Sequence, residues 1–520
     1  MKNMRITQIF NKQLSKKALA ILCALWVLFM VLPLFAMSFY AYPSHDDFPN
    51  ARRVIEAWAQ TGSVWEFVKA SWEQAMVDYV EWQGTFMAMF LCALQPMIFS
   101  MDLNWLTGAV TLLSVMAAAG YLVHHLCKYV LKADGYTGVA LYAALMTALI
   151  FAVPGISELL YWHASVQYTF SIVVMLLIAG LLIRLHQPMG TLARILRTGL
   201  LAAECFVLGA LPYTHALGGA VAMALVTAWF IRRKHAAWWG GLAGFMAMAV
   251  SLLIVIIAPG NAARQATVGD SMNPVLAVAY SIEAAMSATA GWFGPEWLGI
   301  ALMIVPLVWQ PLKETKFRFA NPGWFSFFTF GVLAACWVPP VFATGADSWH
   351  EPRIEGSLYM LWALLAFLNL LYWAGWAAQK NRFEVRTKIT LYTIAACIGM
   401  VVWGAFATGA AFATPVMGGW KSLLMGEAQQ FRREMDAREE AILAAQSLDE
   451  ARSVIQPVTA QPMLFPLDML IYQTEGKLPG EMHIFFDLQR LVEEYGAGNI
   501  PQEEWDKLET WSNGEVKYLL

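Results

Sequence analysis

The chain has 520 residues, 59% of them hydrophobic and only 14% charged, with a formal net charge of −3 and a mean hydropathy of +0.52. A soluble domain carries roughly 25% charged residues, so this composition excludes an ordinary soluble enzyme and specifies an integral membrane protein. No basic patch interleaved with aromatics points to nucleic acid.

At the N-terminus, Lys2, Arg5, Lys12, Lys16 and Lys17 precede an apolar run over about 18–42. That run exceeds the roughly 7–15 residues of a signal-peptide core. It therefore reads as an uncleaved first span with a cytoplasmic N-terminus, by the positive-inside rule. Just past it comes Tyr42-Pro43-Ser44-His45-Asp46-Asp47-Phe48. Two adjacent carboxylates at a bilayer surface repel one another and cost stability unless something uses them. Each raises the pKa of the other, and a poised carboxylate suits a base for chemistry on a lipid-linked substrate. The plainer reading is a solvated acidic loop. The rest of this first outer loop, 42–83, has apolar residues at helical spacing (Val54, Ile55, Trp58; Trp65, Val68, Trp72, Met76). These predict interfacial helices with tryptophan at headgroup depth.

A bilayer core needs about 20 apolar residues per helix. On that measure the spans fall at about 18–41, 84–100, 103–125, 137–153, 166–184, 198–212, 216–231, 238–258, 297–312, 324–342, 357–377 and 389–412. Basic residues cluster at Lys128/Lys132, Arg184/Arg194/Arg197, Arg232-Arg233-Lys234, Lys313/Lys316/Arg318 and Lys380/Arg382/Arg386/Lys388. Placing all five in the cytoplasm gives a consistent map, except that 84–125 must then cross an odd number of times. Either 84–100 is short, re-entrant or in-plane, or the Lys128/Lys132 loop is outside. The expected architecture is an all-α polytopic body over 1–412 with about 11 or 12 transmembrane helices. A tail over 413–520 follows outside the membrane, with a charged helix near 421–448, a strand-like 453–458 and an amphipathic helix near 487–495, suiting a small α/β appendage. The C-terminus is thus expected to be extracytoplasmic.

The unusual polar segments gather on the outer side. Ala258-Pro259-Gly260-Asn261-Ala262-Ala263-Arg264 ends a span, and Asn261 and Arg264 are expected to face the aqueous rim. A guanidinium with nearby amides suits phosphate oxygens; a helix stop with a snorkelling arginine is the plainer alternative. Asp347-Ser348-Trp349-His350-Glu351-Pro352-Arg353 offers a second arginine. Glu158, Tyr161, Trp162, His163, Gln167 and Tyr168 form an aromatic-polar patch of the kind that binds sugars, and equally make an ordinary aromatic belt. His163, His215 and His350 can join Asp46 and Asp47 as ligands of a divalent metal, although their spacing carries no signature and no cofactor is specified. Glu204 is the carboxylate inside an apolar run and is a functional candidate on that ground. The six cysteines lie singly, with no CxxC spacing, so neither zinc nor a disulfide framework is implied.

These residues resemble the GT-C superfamily of multi-pass glycosyltransferases, and more closely an uncharacterised bacterial membrane family placed with them. The resemblance rests on Asp46-Asp47-Phe48, Trp82-Gln83-Gly84-Thr85, Glu158…Tyr161-Trp162…Tyr168, Ala258-Pro259-Gly260-Asn261…Arg264 and Asp436-Ala437-Arg438. It implies a polyprenyl-phosphate sugar donor reached from the membrane and a glycan or lipid acceptor. Asp46 or Asp47 would act as base, with Arg264 and Arg353 holding the phosphate leaving group. Trp82 and His215 join the implied substrate-binding set. The family tends to carry Trp-x-Gly-Arg where this chain has Thr85, so any phosphate contact made by that arginine must fall elsewhere. A flippase for a polar lipid or glycan, or a surface-polysaccharide polymerase or ligase, are the alternatives. The absence of an internal repeat weighs against an inverted-repeat transporter.

Overall fold

A computed structural model describes residues 12–43, 47–155, 161–269, 271–345, 351–382, 385, 388–407, 414–444 and 459–460. Among these the chain is helical, with one isolated β-bridge between Gln13 and Thr390. Eight helices are long and apolar enough to cross a membrane. The strand-like 453–458 and the helix near 487–495 lie outside the described residues.

Helix α1 (Lys16–Ser38) is capped by Ser15, whose hydroxyl accepts the Ala18 amide at 3.2 Å. Pro33 inside it leaves the Phe29 carbonyl without its usual amide donor. Trp420 supplies the missing donor, its indole N–H reaching that oxygen at 3.1 Å while its ring stacks on Phe29. After α1, two amphipathic helices, α2 (Asp47–Thr61) and α3 (Val64–Glu81), form a hairpin turned at Gly62. The tight contact of Trp58 with Phe67 and of both with Phe99 fixes that hairpin on the bundle. Among its described residues, the segment 42–83 is therefore helical, as its spacing predicts.

Residues 84–100 fold as a short helix, α4 (Phe86–Ala93), and a 3-10 turn (Pro96–Ile98). At roughly 1.5 Å per residue, eight residues cannot traverse a bilayer core. A long helix, α5 (Leu106–His125, continued by a π segment to Leu131), returns the chain to the opposite end. There Lys16 pairs with Asp134, so the Lys128/Lys132 loop lies at the same end as the N-terminus. This settles the odd-crossing question in favour of a short 84–100.

The remaining helices are α6 (Gly135–Ile150), α7 (Trp162–Leu185), α8 (Thr191–Gly209), α9 (Tyr213–Arg232) and α10 (Trp238–Ile256). They are followed by α11 (Gly260–Val268), α12 (Pro274–Trp292), α13 (Pro295–Glu314), α14 (Pro322–Thr344) and α15 (Pro352–Gln379). The described chain closes with α16 (Leu391–Ala407), α17 (Pro415–Leu424) and α18 (Glu427–Ala444). The described residues of the five basic clusters lie at the N-terminal end of the bundle. The Arg184 guanidinium lies 4.9 Å from the Tyr129 ring, His186 stacks on His235, and Thr315 bonds the Val130 carbonyl. Gln379 ties the end of α15 to Phe317, and Leu14 donates to Ile389 at 2.9 Å. The opposite, or distal, end collects α2, α3, α4, α11 and α18.

The stretch 259–296 holds two helices, α11 and α12. Both ends of α12 are tied to the distal part of α14, through the Met272 amide on the Phe342 carbonyl (2.8 Å) and the Trp292 ring against Trp337. Its alanine-rich face (Ala277, Ala284, Ala285, Ala288) packs inward, while Val275, Leu276 and Met286 stay exposed, as on a helix lying in a membrane surface. The charged helix expected over 421–448 is broken between α17 and α18, because Gly426 adopts φ +77°, outside the helical region. Elsewhere, small residues let the helices close on one another: a Cβ on Gly218 would stand 2.1 Å from the Cys336 sulfur. The outward faces are apolar, with Leu192, Leu196, Leu253 and Ile257 exposed, which is the surface lipid requires.

Candidate functional site

Asp47 begins α2 and is 1% exposed. A carboxylate at a helix N-terminus is favoured by the unpaired amides of the first turn. Its Oδ1 accepts the His163 backbone N–H at 3.0 Å, and its carbonyl oxygen accepts Gln95 Nε2 at 2.6 Å. Trp162, next to His163, donates its indole N–H to the Leu91 carbonyl at 2.8 Å. Thus α2, α4 and the start of α7 are joined at one point, with the acid between them.

The His163 ring is held on both sides. Gln167 Nε2 lies 2.8 Å from His163 Nε2 and donates also to the His163 carbonyl at 3.1 Å. That second bond orients the Gln167 amide, so Nε2 accepts. On the other side of the ring, Asn50 Nδ2 lies 3.1 Å from His163 Nδ1. The imidazole is held between two amides beside Asp47.

Gln167 and Tyr168 lie in a π turn, Ser165–Thr169, near the start of α7. Such turns recur at functional sites because the extra residue redirects side chains. Tyr168 meets the His215 ring edge-on, with centroids 6.3 Å apart. His215 sits in the first turn of α9, wholly buried, and neither ring nitrogen makes a well-aligned hydrogen bond. The backbone of Ser357 in α15 lies close to it. Arg353, four residues earlier on the same face of α15, is half-buried and 3.8 Å from Glu351. The distal end therefore holds a row running Asp47, His163, Gln167 and Tyr168, His215 and the Ser357 backbone, with Arg353 one turn before Ser357 on α15.

Asn261 and Arg264 belong to a second group, around Trp82. Asn261 does not face the rim. Its Oδ1 accepts the Gly84 N–H at 2.9 Å and the Tyr213 hydroxyl, and its Nδ2 donates to the Val255 (2.8 Å) and Ile256 (3.0 Å) carbonyls. This amide is a clip between the end of α10, the start of α9 and the loop after α3. The approach is close: a Cβ on Gly84 would stand 2.0 Å from the Val255 oxygen, and one on Gly260 2.7 Å from the Trp82 and Gln83 nitrogens. Arg264 is exposed, with its guanidinium 5.5 Å from the centre of the Trp82 ring, a cation–π contact. Thr85, where the resemblance expects arginine, is buried at the start of α4 with its hydroxyl unpartnered.

Several residues at this end escaped the sequence reading. Asn50 and Gln95 frame the Asp47 group. Asp78 lies on the inward face of α3 with Ser71 and Ala75, and its buried Oδ2 has no partner. Burial pushes its carboxyl up to about 6, against the Gln74 hydrogen bond and the Arg53 charge, with Glu81 adding to the rise. A three-to-four-residue spacing from Ser71 and Ala75 is the sequence signal that marks it. Asp46, Glu158 and His350 lie outside the described residues. Among those described, no three His, Cys, Asp or Glu side chains are grouped to hold a metal ion. Comparison with protein-family models, curated proteins and solved structures finds no match to the chain.

Proposed function

We propose that this protein is a GT-C-type glycosyltransferase that moves a sugar from a polyprenyl-phosphate-linked donor to a cell-envelope glycan or lipid acceptor on the outer side of a bacterial inner membrane. The observation that carries this reading is Asp47. It is a buried acid fixed by the His163 amide at the end of an apolar bundle opposite every basic loop. Lysine- and arginine-rich connections favour the cytoplasmic side, which supports an outer position for Asp47. An apolar exterior beside the site suits a donor presented from the lipid.

In the proposed step an acceptor hydroxyl oxygen attacks the anomeric carbon, its proton passes to the Asp47 carboxylate, and the bond from that carbon to the phosphate oxygen breaks. Polyprenyl phosphate leaves carrying the bonding pair. Charge develops on its oxygens, and a guanidinium nearby stabilises it. Arg353 is the better placed of the two arginines named from sequence, because it stands at the end of the row that starts from Asp47. Arg264 is engaged with Trp82. The His163 imidazole, flanked by two amides, and the Tyr168 face supply the hydrogen-bonding and stacking surface that a sugar needs.

The test is Asp47→Asn and Asp46→Asn, singly and together, in full-length protein given a polyprenyl-phosphate sugar. A proton acceptor in the transition state contributes about 10²–10⁴-fold, so Asp47→Asn should cut transfer by at least about 10² with expression unchanged. Full transfer by the double variant ends the proposal. Movement of the lipid across proteoliposomes without covalent transfer would identify a carrier instead.

A further inference from the structure

Helix α18 buries Ala428, Phe431, Met435 and Arg438. Intervals of three, four and three residues place them along one face of a helix. Three of the four are what a core-facing stripe requires. The fourth is a guanidinium only 3% exposed, whose Nε, Nη1 and Nη2 are each buried without a hydrogen-bond partner.

Among the described residues, three acids at this end are committed elsewhere. Asp436 pairs with Arg432 at 2.6 Å, and Asp102 with the same arginine at 3.6 Å. Glu439 accepts the Tyr42 hydroxyl at 2.8 Å. Among the described residues, Tyr42 is the titratable side chain that bears on Arg438. Burial pushes the Arg438 guanidinium down to about 10, which leaves it charged at neutral pH. A buried cation with five donors and no acceptor is strongly unfavourable unless an anion enters with it.

We propose that Arg438, buried on the inward face of α18 near Tyr42, is the anion-holding residue of a phosphate-binding site. The fork of donors matches phosphate oxygens. The depth also fits, because Tyr42 follows the distal end of α1, where Phe39 stacks on Trp105 with ring centres 5.1 Å apart, an aromatic belt at the level of lipid headgroups. The phosphate is therefore that of a lipid phosphomonoester or free phosphate from the aqueous side. The site rests on α18 alone and not on transfer chemistry, so inactive protein with intact phosphate binding would separate it from the proposed reaction.

The experiment uses full-length protein in nanodiscs, with unfolding followed by tryptophan fluorescence. The probes are inorganic phosphate in solution and, separately, a polyprenyl monophosphate in the bilayer. Wild-type Tm should rise with the phosphate source the site accepts. A rise with inorganic phosphate assigns a free anion, and a rise with the lipid alone assigns a headgroup. Arg438→Met should have a higher Tm than wild type without phosphate, since it removes an uncompensated buried charge, and should show no rise with either probe. Arg438→Lys should bind at least about tenfold more weakly, the scale of losing a bidentate charge-assisted contact. Indifference of the wild type to both probes overturns the proposal. So does a rise retained in Arg438→Met, or an Arg438→Met protein less stable than wild type without phosphate.

Discussion

Replacing Asn261 with alanine tests whether the amide in the Pro-Gly-Asn turn binds ligand or holds the fold. Its side chain makes four hydrogen bonds, to the Gly84 amide, the Tyr213 hydroxyl and the Val255 and Ile256 carbonyls. The Ile256 contact is solvent-exposed and water replaces it. The other three are part-buried, and each contributes about 1 kcal/mol net, so the loss is about 3 kcal/mol. Asn261→Asp keeps the acceptor but removes both donors and sets a charge against two carbonyl oxygens, so it should cost a similar amount. The assay is chemical or thermal unfolding of the purified protein, run beside phosphate binding and transfer. A clip predicts that both variants lose stability first, with activity following the folded fraction. If Asn261→Ala unfolds like the wild type and loses only transfer, the amide is a ligand group and the structural reading is refuted.

Trp420→Phe should keep the stack on Phe29 but leave the carbonyl exposed by Pro33 without a donor, at a cost of about 1–2 kcal/mol. Pro33→Ala restores the backbone amide and should erase most of that cost, so additive effects in the double-mutant cycle would reject the link. Asp134 caps α6 by accepting the Thr137 amide at 2.9 Å as well as pairing with exposed Lys16. Asp134→Ala should therefore cost about 1 kcal/mol, while Lys16→Ala should shift unfolding very little; equal losses would mean that the ion pair matters and the cap does not. Asp78 has a raised pKa, so the folded state retains a proton that the unfolded chain has released. Its contribution is present below about 4 and lost as pH climbs through about 6. Asp78→Asn should accordingly be stabilising at pH 7.5, on the order of 2 kcal/mol, and near neutral at pH 4. A variant less stable than wild type at pH 7.5 would show that the ionised carboxyl has a partner.

What the sequence makes legible is whatever depends on composition and near neighbours. The polytopic apolar body and the amphipathic α2 and α3 follow from spacing and charge, although eight described helices are long and apolar enough to span where the sequence suggests about 11 or 12. The ends that Lys16 and Asp134 bring together agree with the charge map. The short α4 is legible only in part: composition makes 84–100 a candidate span, and the charge map leaves open whether it is short or the Lys128/Lys132 loop is outside. Partners separated by a hundred residues or more are not legible. Nothing in Ala258-Pro259-Gly260-Asn261 says that the amide will turn inward to Gly84 and Tyr213, since a helix stop and a rim-facing polar group look identical in one dimension. The π turn at Ser165–Thr169 is invisible for the same reason, yet it sets Gln167 on His163 and Tyr168 on His215. Arg438 lies between these cases. The stripe Ala428, Phe431, Met435 can be read directly from the chain, and its next member is an arginine where an apolar residue belongs. In a charged helix that position looks like one more solvated residue. Once α18 is docked against Tyr42 it becomes a cation sealed from water, and the same spacing that marks a core then marks a place where this chain has left an anion to be supplied.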